Sequence, residues 1–231
     1  TIYENIGFNN LTFDNGLVGY WKFDEGGGTV ARDSSSYGND GTLKNMDTSI
    51  AWVDVKAGTG TTNFYNTYAL DFDGSNDYVE VANANGTELA PSRFTIALWI
   101  KQTVNGASAD DVVALTPSAS NGIEFQMNNG GTTFLYVGDG AWASAQTTAP
   151  SLNTWTHIVG TFDETNIRLY FDGVEKDSTA QDAVTYAGSN NSLAIGSSNR
   201  SLGNAPFPGL LDDVRIYNRA LSASEALNLA N

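Results

Sequence analysis

The sequence predicts an all-β domain of about a dozen short strands joined by tight turns. Its 24 glycines and 11% aromatic residues accompany only 16% charged residues, a composition typical of such domains. Apolar and polar residues alternate with the period of two that strands require, and a helical pattern occurs only near the C-terminus. Because 41% of the 231 residues are hydrophobic, we expect one domain with a single large core.

The strands are predicted from alternation and from the turns between them. The first lies at 17–23, and 68–72 and 78–81 form a hairpin, since Gly74 supplies the positive φ angle of a tight turn. Strand 94–100 is apolar on both faces, which predicts a place in the middle of a sheet. Further strands are predicted at 111–115, 122–127, 133–137, 155–162, 166–171, 192–195 and 210–217.

The C-terminal segment is predicted to form a short helix. Ser222 and Glu225 have the spacing of a capping box, the pattern that begins a helix. Leu227 and Leu229 then lie where one or two helical turns would pack against the edge of a sheet. We expect this helix to be structural.

The charge of the chain and the length of its apolar runs argue against two classes of partner, nucleic acids and membranes. Lys and Arg number 11 against 26 Asp and Glu, which gives a net charge of −15. Such a chain repels phosphates and anionic headgroups, so we expect no nucleic acid partner. No run of about 18 apolar residues occurs, so we expect no membrane insertion.

Two residue types restrict the possible metal chemistry. The chain has no cysteine, which excludes disulfides and thiolate metal sites, and its single histidine, His157, is too few for a histidine-built zinc site. Any metal is therefore expected to bind through oxygen. The absence of cysteine also fits a bacterial protein exported from the cell.

Three groups of motifs follow one another in order along the chain. They are 17–26 with 33–43, then 69–74, 77–79 and 94–100, and finally 155–163, 169–173, 209–217 and 220–222. In this order the motifs resemble the laminin G-like, or concanavalin A-like, jelly rolls, in the bacterial variety attached to secreted enzymes and adhesins. The resemblance implies a two-sheet antiparallel sandwich over residues 17–231, with 1–16 as an N-terminal extension or edge strand.

The resemblance also implies a function. Such modules are commonly non-catalytic, bind carbohydrate, and are secreted or displayed on a bacterial cell surface. We therefore predict a monomeric carbohydrate-binding module, covalently linked to neighbouring domains, that targets a polysaccharide-active enzyme to its substrate. The first alternative is an adhesion or protein-interaction module, and the less favoured one is a polysaccharide lyase or glycoside hydrolase.

Residues with oxygen ligands occur in the first and last motif groups. They are Asp24, Asp33, Asn39, Gly41 and Asp212. Calcium accepts carboxylate, amide and backbone carbonyl oxygens together, and the resemblance implies a structural calcium ion here, held first by Asp24 and Asp212. The alternative is that Asp33 and Asp40 only accept hydrogen bonds from turn amides, while Asp24 and Asp213 are solvated.

A sugar-binding face is predicted from aromatic and polar residues together, because aromatic rings cover the apolar C–H surface of sugars. Trp142 is interpreted as a platform in a polar loop. The predicted ligand-binding residues are Trp142, Tyr136, Gln126, Arg168, Tyr170, Asn199 and Arg200. Arg168 or Arg200 beside aromatic rings hints at an acidic or sulfated glycan. The alternatives are a solvated sheet face, a Trp142 ring folded over the core, and arginines held in salt bridges.

The acidic residues do not predict catalysis. Retaining glycosidases need two carboxylates about 5 to 5.5 Å apart, which on a single strand requires alternate positions, and no Glu-x-Asp-x-Glu triplet occurs. The alternative is that carboxylates converge from distant strands. We interpret Glu175 and Asp177 as a solvated hairpin end, and Asp110 and Asp111 as solvated loop charge. Asp139 and Asp182 are interpreted in the same way. His157 lies in an apolar strand, which favours a packed or hydrogen-bonded histidine over a general base.

Overall fold

The computed structural model describes residues 14–55, 67–84, 86–105, 109–128, 130–189, 192–198 and 205–230. The strands in chain order are β1 Leu17–Trp21, β2 Val30–Ala31, β3 Gly41–Lys44, β4 Trp52–Asp54, β5 Tyr68–Asp73, β6 Tyr78–Val81, β7 Phe94–Gln102, β8 Ala109–Ser118, β9 Asn121–Asn128, β10 Thr132–Asp139, β11 Trp142–Thr148, β12 Thr156–Phe162, β13 Asn166–Phe171, β14 Val174–Ala180, β15 Leu193–Ile195 and β16 Pro208–Tyr217. The helix is α1, Ala223–Leu229.

The described strands form two eight-stranded antiparallel sheets. The first sheet has the order β14-β13-β12-β7-β16-β5-β4, with β1 also paired to β16. The second has the order β11-β10-β9-β8-β15-β6-β3-β2. This is the jelly-roll sandwich that the motifs implied.

The core lies between the two sheets. Ile96 and Leu98 of β7 belong to the same buried cluster as Phe125 of β9 and Leu135 of β10. At Gly160 of β12 the sheets approach closely, because a Cβ atom there would lie 2.6 Å from Leu135 Cδ2 and 2.8 Å from Phe125 Cε2. Each strand therefore presents one face to the core and the other to the outside of the sandwich.

The two ends of the chain meet in the first sheet. Tyr20 of β1 lies opposite Arg215 of β16, and Trp21 lies opposite Val214. The carbonyl of Gly16 accepts a hydrogen bond from the amide of Asn218. Residues 1–13 of the predicted N-terminal extension lie outside the described residues, so the boundary at residue 17 stays a prediction.

The helix has the predicted capping box, since the Ser222 side chain accepts from the Glu225 amide and the Glu225 side chain accepts from the Ser222 amide. Five strands were not predicted, namely β2, β3, β4, β11 and β14. Strand β11 begins at Trp142, so the prediction of a polar loop there is wrong. Strand β14 includes Glu175 and Asp177, which the sequence suggested as a hairpin end.

Candidate functional site

The candidate site is the outer face of β9, β10 and β11, called here the aromatic face and defined by Gln126, Phe134, Tyr136, Trp142 and Ser144. On these strands the alternate residues Phe125, Leu135 and Ala145 are fully buried in the core. The intervening side chains therefore point away from the core. Cross-strand pairing sets Gln126 opposite Phe134, and Tyr136 opposite Ser144.

Three aromatic rings of this face touch one another. The Phe134 and Tyr136 rings stack with centroids 5.1 Å apart, and the Tyr136 and Trp142 rings meet edge to face at 5.9 Å. All three side chains are partly exposed. The result is a continuous aromatic surface open to solvent at the side of the second sheet.

The position of Trp142 depends on a glycine across the strand pair. Gly138 lies opposite Trp142, and a Cβ atom at Gly138 would lie 2.8 Å from Trp142 Cζ3. The indole Nε1 donates to the carbonyl of Ala119 at 3.0 Å. The ring is therefore held against the sheet by its own hydrogen bond.

Two carboxyl groups lie beside the aromatic face. Asp111 of β8 and Glu124 of β9 are 1% and 3% exposed. Gln126 Nε2 donates to both of them, to Asp111 Oδ1 at 2.8 Å and to Glu124 Oε1 at 3.0 Å. Ser198 also hydrogen-bonds to Asp111, and the Asp111 amide donates to the carbonyl of Ala205. The amide of Gln126 is thus held in one orientation.

Burial, together with the neighbouring Glu124, raises the pKa of Asp111 to about 8. Near neutral pH the pair therefore retains a proton.

The interpretation of Asp110 and Asp111 as solvated loop charge is wrong, since both lie on β8 and Asp110 is only 2% exposed. Their position at the start of an apolar run was the signal that a buried strand begins there.

The geometry of this acid pair does not match glycoside hydrolysis. Asp111 and Glu124 hydrogen-bond directly to each other, whereas the two carboxyl groups of a glycosidase lie about 5 Å or more apart with substrate between them. Both are also almost fully buried. The pair is therefore suited to orienting Gln126 rather than to reacting with a ligand.

The structure brings three of the predicted ligand residues together, Gln126, Tyr136 and Trp142, but places two others elsewhere. Arg168 and Tyr170 belong to β13 of the first sheet, so the prediction that they share this groove is wrong. Arg168 Nη1 pairs with Asp163 Oδ2 at 2.5 Å, which matches the salt-bridge alternative.

Tyr170 packs with Ala97, Val159 and Ala226 on the outer face of the first sheet, beside α1. Period two predicts which residues share a face of one strand, but it does not predict the sheet to which that strand belongs. Asn199 and Arg200 lie outside the described residues, so their predicted contribution stays a prediction.

Asp33 fits the turn alternative rather than a calcium ligand. Its Oδ1 accepts from the amides of Tyr20 and Ser35, and its Oδ2 accepts from the Ser35 hydroxyl and the Asn39 amide. A carboxylate offers about four acceptor positions, and all are used here. Asp40 likewise accepts a hydrogen bond from the Asp33 amide.

The other predicted calcium ligands point to separate partners. Asp24 Oδ1 accepts from the amides of Thr67 and Tyr68, and Asp212 is fully buried in β16 opposite Trp99. Asn39 Nδ2 donates to Val18 and Glu88, which turns its donor group toward the protein. Gly41 lies inside β3.

Within the described ranges, no three His, Cys, Asp or Glu side chains group as a metal site. The five residues Asp24, Asp33, Asn39, Gly41 and Asp212 therefore do not fit a common calcium cage in this geometry. The Oδ1 atoms of Asp24, Asp33 and Asp212 each accept a hydrogen bond from at least one backbone amide, a common role of Asp.

His157 is a packed histidine, as predicted. It is fully buried, and its ring lies 5.2 Å from the ring of Trp99. Burial and the charge of Arg215 lower its pKa to about 3. The side chain is therefore neutral at physiological pH and closed to a substrate.

Comparison with known proteins agrees with this fold. A family model described as the concanavalin A-like lectin/glucanases superfamily matches residues 73–226, about two thirds of the chain. The chain belongs to this superfamily. The matched range contains the whole aromatic face and the Asp111–Glu124 pair.

Solved structures of this superfamily architecture overlay on most of the chain. Domain 4 of AbnA, an extracellular arabinanase from Geobacillus stearothermophilus solved with arabinotriose, has a TM-score of 0.68 at 22% identity, covering 93% of this chain and 98% of that domain. The receptor binding domain of botulinum neurotoxin mosaic serotype C/D has a TM-score of 0.69 at 16% identity, covering 94% and 51%. At these identities the likeness concerns the fold.

A curated relative is the Adhesion G-protein coupled receptor V1 of Danio rerio, which is 26% identical over 178 residues. The match covers 71% of this chain and only 3% of the receptor. This superfamily domain is therefore similar to a small part of a much larger cell-surface protein. In the residues that the structure describes, no helix is long and apolar enough to cross a membrane.

Proposed function

We propose that the chain is a non-catalytic carbohydrate-binding module whose ligand lies on the aromatic face. The observation that supports this is the contiguous, partly exposed set of Phe134, Tyr136 and Trp142 beside the fixed amide of Gln126. Aromatic rings cover the apolar faces of sugars, and amides bind their hydroxyls.

The acid pair gives Gln126 a defined role in this proposal. An amide has two N–H donors, and the Nε2 group of Gln126 directs hydrogen bonds to Asp111 and Glu124. Its carbonyl Oε1 is then the group that the side chain offers to a sugar hydroxyl. Tyr136 stays protonated near neutral pH, since burial and the two carboxyl groups raise its pKa, and it adds a hydroxyl donor.

The biological role that we propose is targeting. A module linked to a polysaccharide-active enzyme raises the effective concentration of that enzyme near its polymer. AbnA, whose domain 4 has the same fold and was solved with arabinotriose, is such an extracellular enzyme. An extracellular, bacterial parent protein with covalently linked neighbouring domains is part of the proposal.

Affinity electrophoresis tests this function. The chain should be retarded in a native gel containing soluble arabinan, or in at least one gel of a panel of neutral polysaccharides. Trp142→Ala should weaken retention about fivefold or more, because losing a stacked ring costs about 1 kcal/mol. Tyr37→Ala is the matched control, since Tyr37 is an exposed aromatic outside the face. The proposal would be contradicted if no polysaccharide in the panel retarded the chain.

A second candidate function is adhesion to a protein partner. It is favoured by the similarity to the Danio rerio adhesion receptor. This function predicts no retardation in any polysaccharide gel. The same electrophoresis therefore separates the two candidates.

A lyase or hydrolase remains the least favoured candidate, because Asp111, Glu124 and His157 are all closed to substrate. Release of reducing ends or unsaturated products from any polysaccharide in the panel would favour an enzyme over a binding module. A binding module predicts neither product.

The calcium ion predicted from the sequence stays a prediction, and the proposed function does not depend on it. An ion bound to the native state raises stability by mass action. If calcium stabilises the fold, EDTA lowers the melting temperature, and added calcium restores it. An unchanged melting temperature would remove calcium from the account.

A further inference from the structure

A pocket lies on the opposite side of the sandwich from the aromatic face. It has a volume of about 260 Å³ and opens on the outer face of the first sheet, where β1, β16 and α1 meet. Tyr20, Arg215 and Tyr217 line it from the two strands, and Asn228 and Leu229 line it from the helix. The pocket is therefore built by both ends of the chain.

The hydrogen bonds of Arg215 leave donors for a ligand. Within the described part of the chain, Arg215 donates through Nη2 alone, to the Tyr20 hydroxyl at 2.6 Å and to Asp213 Oδ1 at 3.3 Å. Its guanidinium also lies 4.2 Å from the centre of the Tyr20 ring. Because a guanidinium has five N–H donors in a fixed plane, Nε and Nη1 are available to an acceptor.

Tyr217, which lines the same pocket, has a buried hydroxyl. Tyr217 is 1% exposed, and its hydroxyl has no hydrogen-bond partner among the described residues. Burial raises the pKa of Tyr217 to about 12, so at neutral pH the hydroxyl is a donor. A buried donor without an acceptor costs free energy that a bound acceptor recovers.

We propose that this pocket binds the carboxylate of a small organic acid or uronic acid, held by Arg215 and Tyr217. The free N–H groups of Nε and Nη1 point to different sides of the guanidinium, so a carboxylate accepts from one of them and keeps lone pairs for the Tyr217 hydroxyl. Leu17 and Leu229 supply apolar walls for the carbon skeleton of the ligand. The site is distinct from the aromatic face and does not depend on the proposed function.

Neighbouring charges limit the affinity. Asp213 offsets part of the Arg215 charge, and Asp14 lines the pocket from an exposed position. Arg219 is paired with Glu225. The attraction for an anion is therefore local, and we expect a dissociation constant on the order of 1 mM.

Titration of the full chain with two matched sugars tests the proposal. Glucuronate should bind and shift the amide NMR signals of β1, β16 and α1, while glucuronamide, which replaces the carboxylate by a neutral amide, should bind at least tenfold more weakly. Acetate should compete with glucuronate, because the carboxylate is the recognised group. Equal binding of glucuronate and glucuronamide, or no binding of glucuronate, would overturn the proposal.

Variants locate the site. Tyr217→Phe keeps the ring and removes only the hydroxyl, so it should fold normally and bind glucuronate about tenfold more weakly. Arg168→Gln is the control, since Arg168 lies on the first sheet and is paired with Asp163. Unchanged glucuronate binding in Tyr217→Phe, or an equal loss in Arg168→Gln, would contradict the assignment.

Discussion

At the scale of single residues, the Asp111–Glu124 pair has the most direct consequence for stability. The pKa of Asp111 rises from 3.8 to about 8 on folding, because the group is buried beside Glu124. The unfolded chain therefore releases this proton near pH 4, whereas the folded chain keeps it until about pH 8. The stabilising contribution is fully present below the lower value and is lost as pH rises through the higher one.

Asp111→Asn should flatten this dependence, because asparagine keeps similar hydrogen bonds and does not titrate. Between pH of about 5 and about 8, the free energy of unfolding of the native chain should fall by up to roughly 1.4 kcal/mol per pH unit more than that of the variant. Urea denaturation at several pH values measures this difference.

Asp139→Asn is the control for this experiment, since Asp139 is exposed at the end of β10. Its pH profile should follow that of the native chain. A slope that is identical in the native chain and in Asp111→Asn would show that Asp111 does not hold a proton at neutral pH.

Single residues of the aromatic face were predictable to a limited degree. Gln126 and Tyr136 were identified because each alternates with a buried residue of its own strand, and the structure places them on one face. The contact between Asp111 and Glu124 was not predictable, because it depends on the register of β8 against β9. The sequence does indicate that acidic groups in this region lack cationic neighbours along the chain, since no Lys or Arg occurs between Lys101 and Arg168.

At the scale of elements, the close approach of the two sheets determines how the inner faces tolerate substitution. Gly160→Ala would set a Cβ atom against Leu135 and Phe125 of the second sheet. Overpacking of this kind should lower the free energy of unfolding by about 1 to 3 kcal/mol. Urea denaturation measures the loss.

Gly27→Ala is the matched control, because a Cβ atom at Gly27 would meet nothing within 4 Å. Its free energy of unfolding should change by less than about 0.5 kcal/mol. Equal effects of the two substitutions would mean that the sheets do not meet at Gly160.

Strands with strong alternation of large residues were predicted, and strands without it were not. Strand β10 alternates Phe134, Leu135 and Tyr136 between the two faces and was identified. The core-facing positions of strand β11 carry small residues such as Ala143 and Ala145, so the strand lacks alternation of large apolar residues. For this reason its start was interpreted as a loop. Its assignment comes from pairing with β10, a tertiary property.

At the scale of the whole molecule, the fold depends on the meeting of the two ends of the chain. The pairing of β1 with β16 brings them together. The predicted calcium site required more than this pairing, because ligands from both ends would have to converge on one point. Asp33 and Asp212 instead make separate hydrogen bonds within their own segments.

The two faces of the sandwich have different chemistry. The aromatic face combines rings with a buried acid pair, whereas the opposite face has a pocket lined by Arg215 and by Tyr217, whose hydroxyl is buried. We therefore propose two ligand surfaces of different chemistry on one module. The aromatic face is proposed for neutral sugars and the pocket for carboxylates.

The central claim is that a glycan occupies β9, β10 and β11 of the second sheet. The most direct measurement is an NMR titration of the isotope-labelled chain. The ligand is arabinotriose, or an oligosaccharide fragment of a polysaccharide that retards the chain in affinity electrophoresis. The account predicts amide shifts concentrated at Gln126, Phe134, Tyr136 and Trp142, with the Trp142 indole signal among the largest. Shifts concentrated on the first sheet, with the Trp142 indole signal unmoved, would contradict it.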